Sequence, residues 1–244
     1  MRGRELREIV LGVVSSREFP EALRDYKYLL DRGYDRSKVL DLVVERYGLG
    51  REGRDILLRT VFASRDAEER IGKRVEAGEL EGERVAVDGY NVLSTITSSL
   101  LGYPLFLALD GFVRDISSLV GKLTKHHAIY TSLVILLVTL SRLRPKRVEV
   151  FYDAQVSKSG LLALYTRTAM RKIGIEGRAY AVRRADKATL LSGGGVVASS
   201  DSVVISRARR VADLAGYIAM GIAPESVVDL RKLLRESLDA PRQI

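Results

Sequence analysis

Arg84-Val85-Ala86-Val87-Asp88-Gly89-Tyr90-Asn91-Val92 reads as a short strand that stops at an acid, turns at a glycine and enters a helix. A brief, almost unbroken apolar run of this kind suits a strand covered on both faces of a parallel sheet. The same ending recurs twice downstream, in Arg147-Val148-Glu149-Val150-Phe151-Tyr152-Asp153 and in Gly195-Val196-Val197-Ala198-Ser199-Ser200-Asp201. Between these runs, helical material fills Val92 to Leu143 and Leu161 to Ile173, while Arg178 to Val182 is extended. Helices over Arg207 to Met220 and Pro224 to Leu238 close the chain. Strands that alternate with helices predict an α/β domain over residues 82–244, built on a doubly wound, mostly parallel sheet.

The residues before this domain follow a different pattern. Residues 1–78 read as a small all-α domain of short amphipathic helices punctuated by glycine. Phe19-Pro20 opens one helix that Gly33 closes, and Asp35 or Ser37 caps the next, which ends at Gly48. Further helices are expected near Asp55 to Phe62 and Arg65 to Val75, with no strand. Glu76 to Glu83 is polar, holds two glycines and reads as a linker.

Composition excludes several classes of function. The 244 residues include no cysteine, so neither a disulfide framework nor a cysteine-ligated zinc is available. His126 and His127 are adjacent, cannot share a helix face and lack a third ligand at zinc spacing. The apolar run from Ala128 to Leu140 falls short of the ~20 residues of a membrane span, and no signal peptide is visible. A cytoplasmic protein with no membrane partner is expected, and a homodimer is compatible with the sequence. The first 80 residues hold nearly equal numbers of acids and bases, so the net charge of +9 sits almost wholly beyond them. A basic domain of this kind attracts polyanions, and nucleic acid is the expected partner.

In an open parallel sheet, ligands bind beyond the carboxyl ends of the strands, where Asp88, Asp153 and Asp201 all stand. Carboxylates gathered at one point repel unless a cation lies between them, and oxygen donors without nitrogen or sulfur suit Mg²⁺ or Mn²⁺. Taken singly, each aspartate is as well explained as a helix cap or turn former. Asp110 and Arg114, four residues apart in Asp110-Gly111-Phe112-Val113-Arg114-Asp115, either pair with each other or free Asp110 as a further ligand. Ser157-Lys158-Ser159-Gly160 offers hydroxyls, backbone N–H groups and a cation to a phosphate, without P-loop spacing. Asn91, Arg183 and Arg184 complete the candidate substrate-binding set, and Tyr90, Tyr103 and Tyr152 are candidate stacking surfaces for bases. Asp186 reads as an N-cap, and Asp213 as a possible support from a helix.

At Asp88-Gly89-Tyr90-Asn91 and Ser199-Ser200-Asp201 the chain resembles the PIN-like nuclease superfamily, whose first strand ends in a similar Asp-x-x-Asn pattern. Nearly the whole length is also similar to an uncharacterised archaeal two-domain family, a helical N-terminal domain followed by a PIN-like domain. That resemblance rests on Leu29-Leu30-Asp31-Arg32-Gly33-Tyr34, Arg46-Tyr47, Asp88 to Leu93, Asp110 to Asp115, Asp153 with Ser157 to Gly160, and Ser200-Asp201-Ser202. It implies a PIN-like fold and a metal-dependent ribonuclease in which Asp88, Asp153 and Asp201 act with Mg²⁺ or Mn²⁺. The family pattern carries a Glu on the helix after Asn91, where this chain has Thr97 or Ser98. The competing expectation is therefore a PIN-like RNA-binding or scaffold protein without catalysis. A phosphotransferase using Asp153 as nucleophile ranks last, because Tyr152-Asp153-Ala154-Gln155 lacks a second Asp two residues on.

Overall fold

The computed structural model describes residues 3–116, 127–192 and 195–239. Of the features singled out above, His126 and the rest of residues 117–126, within the stretch expected to be helical from Val92 to Leu143, lie outside them.

Five helices come first: α1 (Gly3–Val14), α2 (Glu18–Asp31), α3 (Arg36–Tyr47), α4 (Gly50–Thr60) and α5 (Ser64–Ile71). Their ends follow local chemistry. Asp35 caps α3 by accepting the Lys38 N–H at 2.9 Å, and Gly48 ends it in the left-handed region at φ 59°. Their apolar stripes meet around Phe19, Leu23, Tyr26, Leu40, Ile56 and Leu57, each almost fully withdrawn from solvent.

The large sheet has six strands in the order β1 (Arg74–Val75), β8 (Val211–Ala212), β7 (Val196–Ala198), β2 (Arg84–Asp88), β5 (Arg147–Asp153) and β6 (Gly177–Val182). Every neighbouring pair is parallel. Central β2 aligns Val87 with Val150 on one side and Ala198 on the other, and it is buried from Val85 to Asp88. Helices cover both faces, as a parallel sheet requires. On one face α6 (Gly89–Leu100), α7 (Ala128–Leu143), α8 (Ser159–Lys172) and α11 (Leu214–Ile222) contribute Leu93, Ile96, Leu136, Leu162 and Leu214 to the core. On the other, α9 (Ala185–Leu191) and α10 (Ser202–Arg207) pack Ala185, Val204 and Ile205 over Ala86, Phe151 and Val197. The expected α/β domain with a mostly parallel sheet, preceded by a helical region, is therefore present. Among the described residues no helix is long and apolar enough to cross a membrane.

Several expectations fail, each for a local reason; the helix expected over Arg207 to Met220, for one, begins only at Leu214, after β8 at Val211–Ala212. The stretch expected to be helical to Leu143 breaks after α6 into β3 (Leu105–Leu107) and β4 (Val113–Arg114), joined through Gly111 at φ 80°. With β9 (Val227–Asp229) they form a second sheet in the order β4-β3-β9. Strands of two or three residues are too short to show a period. The helix expected over Arg65 to Val75 ends at Ile71 and Arg74–Val75 joins the sheet as a strand, while the supposed linker after it holds a 3₁₀ turn at Ala77–Leu80 that buries Leu80. The final helical stretch likewise gives up Val227–Asp229 to the small sheet before α12 (Leu230–Asp239) begins.

The helical layer and the sheet layer share a core. Leu230 of α12, together with Phe106, Leu109 and Ile116, packs into the same cluster as Phe19, Leu23 and Leu57. A buried charge cluster stitches the layers together beside it. Asp110 takes a bidentate pair from Arg114 at 2.6 and 2.7 Å and a third bond from Arg70 of α5 at 2.9 Å. The Phe62 ring lies under the guanidinium groups of Arg36, Arg70 and Arg114, at 4.6, 4.2 and 5.0 Å from its centre.

Candidate acidic cleft

The strand ends of the large sheet open onto a cleft of about 500 Å³ lined by Asp88, Asp153 and Asp201 together with Asp186, Tyr90 and Asn91. Asp88 closes β2, and the chain turns directly into α6. The turn needs glycine: a Cβ on Gly89 would stand 2.4 Å from the buried Tyr152 ring and 2.8 Å from the Phe151 carbonyl oxygen. Asp88 does not cap α6. Its Oδ2 accepts instead from Asn91 Nδ2 at 2.6 Å and from Ser199 Oγ at 2.9 Å. Ser199 Oγ in turn accepts the Asp201 N–H at 3.1 Å, so the ends of β2 and β7 are tied through one hydroxyl.

Asp201 and Asp153 divide their carboxylates between local structure and the cleft. Asp201 Oδ1 caps α10 by accepting the Val203 and Val204 N–H groups at 2.7 and 3.1 Å. Asp153 Oδ1 accepts the Gln155 N–H at 2.8 Å. Among the described residues, the second oxygen of each has no hydrogen-bond partner. The capping and turn explanations therefore hold for one oxygen of each residue.

The electrostatics reflect crowding of like charge. Burial pushes the Asp88 carboxyl up to about 6; Asn91 and Ser199 oppose the shift, while the charges of Asp201 and Asp186 add to it. Burial and then Asp153 push Tyr90 up to about 12. No Lys or Arg is among the described residues that line the cleft.

The expectation that three carboxylates lie within one metal's reach is corrected in part. Among the described residues, no three acidic or histidine side chains are grouped closely enough to hold an ion directly. Their local bonds account for this, since Asp201 and Asp153 are each drawn toward neighbouring backbone. Asp110, expected as a further ligand, does not reach the cleft. Burial alone would raise its carboxyl, but Arg114 and Arg70 outweigh that and hold it below the ordinary value. The salt-bridge reading of Asp110 and Arg114 is the observed one, on a turn rather than a helix.

Ser157 and Lys158 are exposed just after Val156, which lines the cleft; Arg183 and Arg184 are exposed just before Ala185 and Asp186, which also line it. These groups flank the acids without entering their midst. Lys158 holds a left-handed backbone at φ 66° at the start of α8. Of the three tyrosines, Tyr90 lines the cleft, whereas Tyr152 is fully buried with its hydroxyl against Thr166 Oγ1 at 2.8 Å. Tyr103 packs against the helical core. Asp213 stands apart as the N-cap of α11, accepting from Gly216 N–H at 2.9 Å and Val113 N–H at 2.8 Å.

Two participants escape the sequence reading. Asp186 is not a cap but a wall of the cleft, and the available signal was its place four residues beyond the end of β6. Ser199 carried only the Ser-Ser-Asp pattern, which does not say which serine faces Asp88.

Comparison with known proteins gives the chain relatives but no solved counterpart: no solved structure matches. Residues 77–217 match the family described as Domain of unknown function (DUF5616), and residues 18–73 match Protein of unknown function (DUF434). An uncharacterized protein of Methanocaldococcus jannaschii is 33% identical over 185 residues, which cover 76% of this chain and 88% of the relative. The chain thus belongs to the DUF5616 family, in an archaeal two-domain arrangement that places a DUF434 segment before the sheet.

Proposed function

We propose that the acidic cleft holds a divalent cation and that the protein is a PIN-like ribonuclease cutting phosphodiester bonds in RNA. The observation that carries this reading is the composition of the cleft: four aspartates from separate segments and no basic residue among its described lining, on a chain of net charge +9. The donors fit a hard ion. The acidic donors are all oxygen, Asp153 and Asp201 each keep one oxygen without a hydrogen-bond partner among the described residues, and Mg²⁺ is commonly held by one or two carboxylates while it retains water. Such an ion supplies Lewis acidity and neutralises charge building up on a phosphodiester. Asn91 and Ser199 hold the Asp88 carboxylate in place. Lys158, Arg183 and Arg184 draw in the phosphate backbone from the rim, and Tyr90 offers a ring to a base.

The second reading, a PIN-like RNA-binding or scaffold protein without catalysis, draws on the same rim cations and on the lack of a closed three-acid set among the described residues. One experiment separates the two. The full chain is incubated with end-labelled RNA in Mn²⁺, in Mg²⁺ and in chelator, beside Asp88→Asn and Asp153→Asn. Cation-dependent cleavage that both substitutions abolish supports the nuclease. RNA binding without cleavage, unchanged or tightened by the substitutions, sinks the nuclease and leaves the binder.

A further inference from the structure

A larger cavity, about 650 Å³, lies along the β1 edge of the large sheet and shares no lining residue with the acidic cleft. That volume is in the range of small-molecule sites, roughly 300–1,000 Å³. Its walls come from β1, β3, β4, β8, α7 and α11, and α12 adds Arg231. Three arginines line this space: Arg74, Arg142 and Arg231. They differ in how far they are committed. Arg74 donates to the Gly111 carbonyl at 2.7 Å and lies 3.3 Å from Glu76; Arg231 reaches Asp229 through Nε at 3.4 Å. Arg142 has no hydrogen-bond or ion-pair partner among the described residues and is exposed.

Two acids also line the cavity; Glu76 pairs with Arg74, so Arg142 is the lining arginine without an ion-pair partner among the described residues. The oxygens of Asp213 are taken up by the Gly216 and Val113 N–H groups, and Glu76 is largely exposed beside Arg74. The remaining wall is apolar, including Val75, Leu107, Val113, Ile135 and Ile218. Tyr217 lines this wall and stands 54% exposed, so its ring is open to a ligand. Beside it, Gly221 leaves open space, since a Cβ there would meet nothing within 4 Å.

We infer that this cavity binds a nucleotide bearing a phosphate monoester, with the phosphate held by Arg142, the uncommitted arginine of its lining, and the base laid against Tyr217. Arginine's planar fork matches phosphate oxygens in pairs, and an aromatic ring accepts any base face. The apolar wall accommodates the ring, which a site for inorganic phosphate would not need. The same chemistry is presented by a free mononucleotide and by the 5′-phosphorylated end of an RNA strand. The inference does not depend on the chemistry of the acidic cleft.

Calorimetric titration of the full chain with AMP, inorganic phosphate, and 5′-phosphorylated and 5′-hydroxyl RNA trinucleotides tests it. Saturable AMP binding is expected, weakened by about tenfold or more in Arg142→Met and in Tyr217→Ser, and unchanged in Asp88→Asn. Both substituted positions are exposed, so the fold is retained. A phosphorylated trinucleotide that binds more tightly than AMP, with the hydroxyl form weak, assigns the site to RNA ends. AMP binding equal to or tighter than the phosphorylated trinucleotide assigns it to free nucleotides. The inference is overturned if neither binds by millimolar concentration, if both variants bind as the parent does, or if inorganic phosphate binds as tightly as AMP.

Discussion

Replacing Asp88 with Asn should stabilise the protein at alkaline pH, although it removes a residue from the proposed site. Asp88 is 4% exposed, and its carboxyl rises from 3.8 to about 6 because burial, with Asp201 and Asp186 nearby, disfavours the ionised form. A gap of that size corresponds to roughly 3 kcal/mol between the two protonation states. Because the folded pKa is the higher one, the unfolded chain releases this proton first as pH rises. The contribution of Asp88 is whole below 3.8, is lost as pH climbs through about 6, and stays lost above it. Asn carries no charge to bury, and its amide oxygen can still accept from Asn91 and Ser199. The difference between variant and parent should therefore be near zero at pH 3.5, grow between pH 4 and 6.5, and level off at up to about 3 kcal/mol in favour of the variant. Urea unfolding at a series of pH values, in chelator, measures it directly. Repeating the series at pH 8 with Mn²⁺ should raise the parent's midpoint and leave the variant's alone, since only a ligand that prefers the folded state stabilises it. A flat difference across pH, or a variant less stable than the parent at pH 8, would refute the account of a crowded, uncompensated carboxylate.

Three further outcomes follow from the packing. Asp110→Asn leaves Arg114 and Arg70 buried without their carboxylate, so a loss of about 3–5 kcal/mol is expected in urea unfolding, and a loss under 1 would contradict the arrangement. Gly89→Ala drives a Cβ into the buried Tyr152 ring and the Phe151 carbonyl; the expected cost is about 1–3 kcal/mol, read as a lower melting temperature. A fragment starting at residue 82 loses β1, the Arg70 bond to Asp110, and the helices that cover Phe106, Leu109 and Leu230. It should show no cooperative thermal transition, and one within a few degrees of the full chain's would show that the layers fold separately.

The central sheet was legible because its strands are long enough to carry a pattern. Arg84–Asp88 and Arg147–Asp153 were bounded correctly from sequence, and so was the acid at each end. Apart from Val196–Ala198, strands of two or three residues escaped: their identity is set by the partner they pair with, as Arg74–Val75 is by Val211–Ala212. Long-range pairing of this kind has no local signature. The cleft divided in the same way. Position along the fold named Asp88, Asp153 and Asp201, but not which oxygen each would surrender to a nearby N–H. Asp110 was ambiguous because its second partner, Arg70, is 40 residues away in sequence. Asp186 was missed because it sits within the first turn of α9 rather than at a strand end.

The shared core between the first helices and α12 has a consequence for synthesis. The α2 layer emerges from the ribosome well before Leu230, which completes its apolar packing. Until then the stripe around Phe19 and Leu23 lacks its final cover and stays exposed on the nascent chain. A chain released before α12 would keep that surface open and present it to proteases and chaperones. Helix α12 thus works as a seal on that surface.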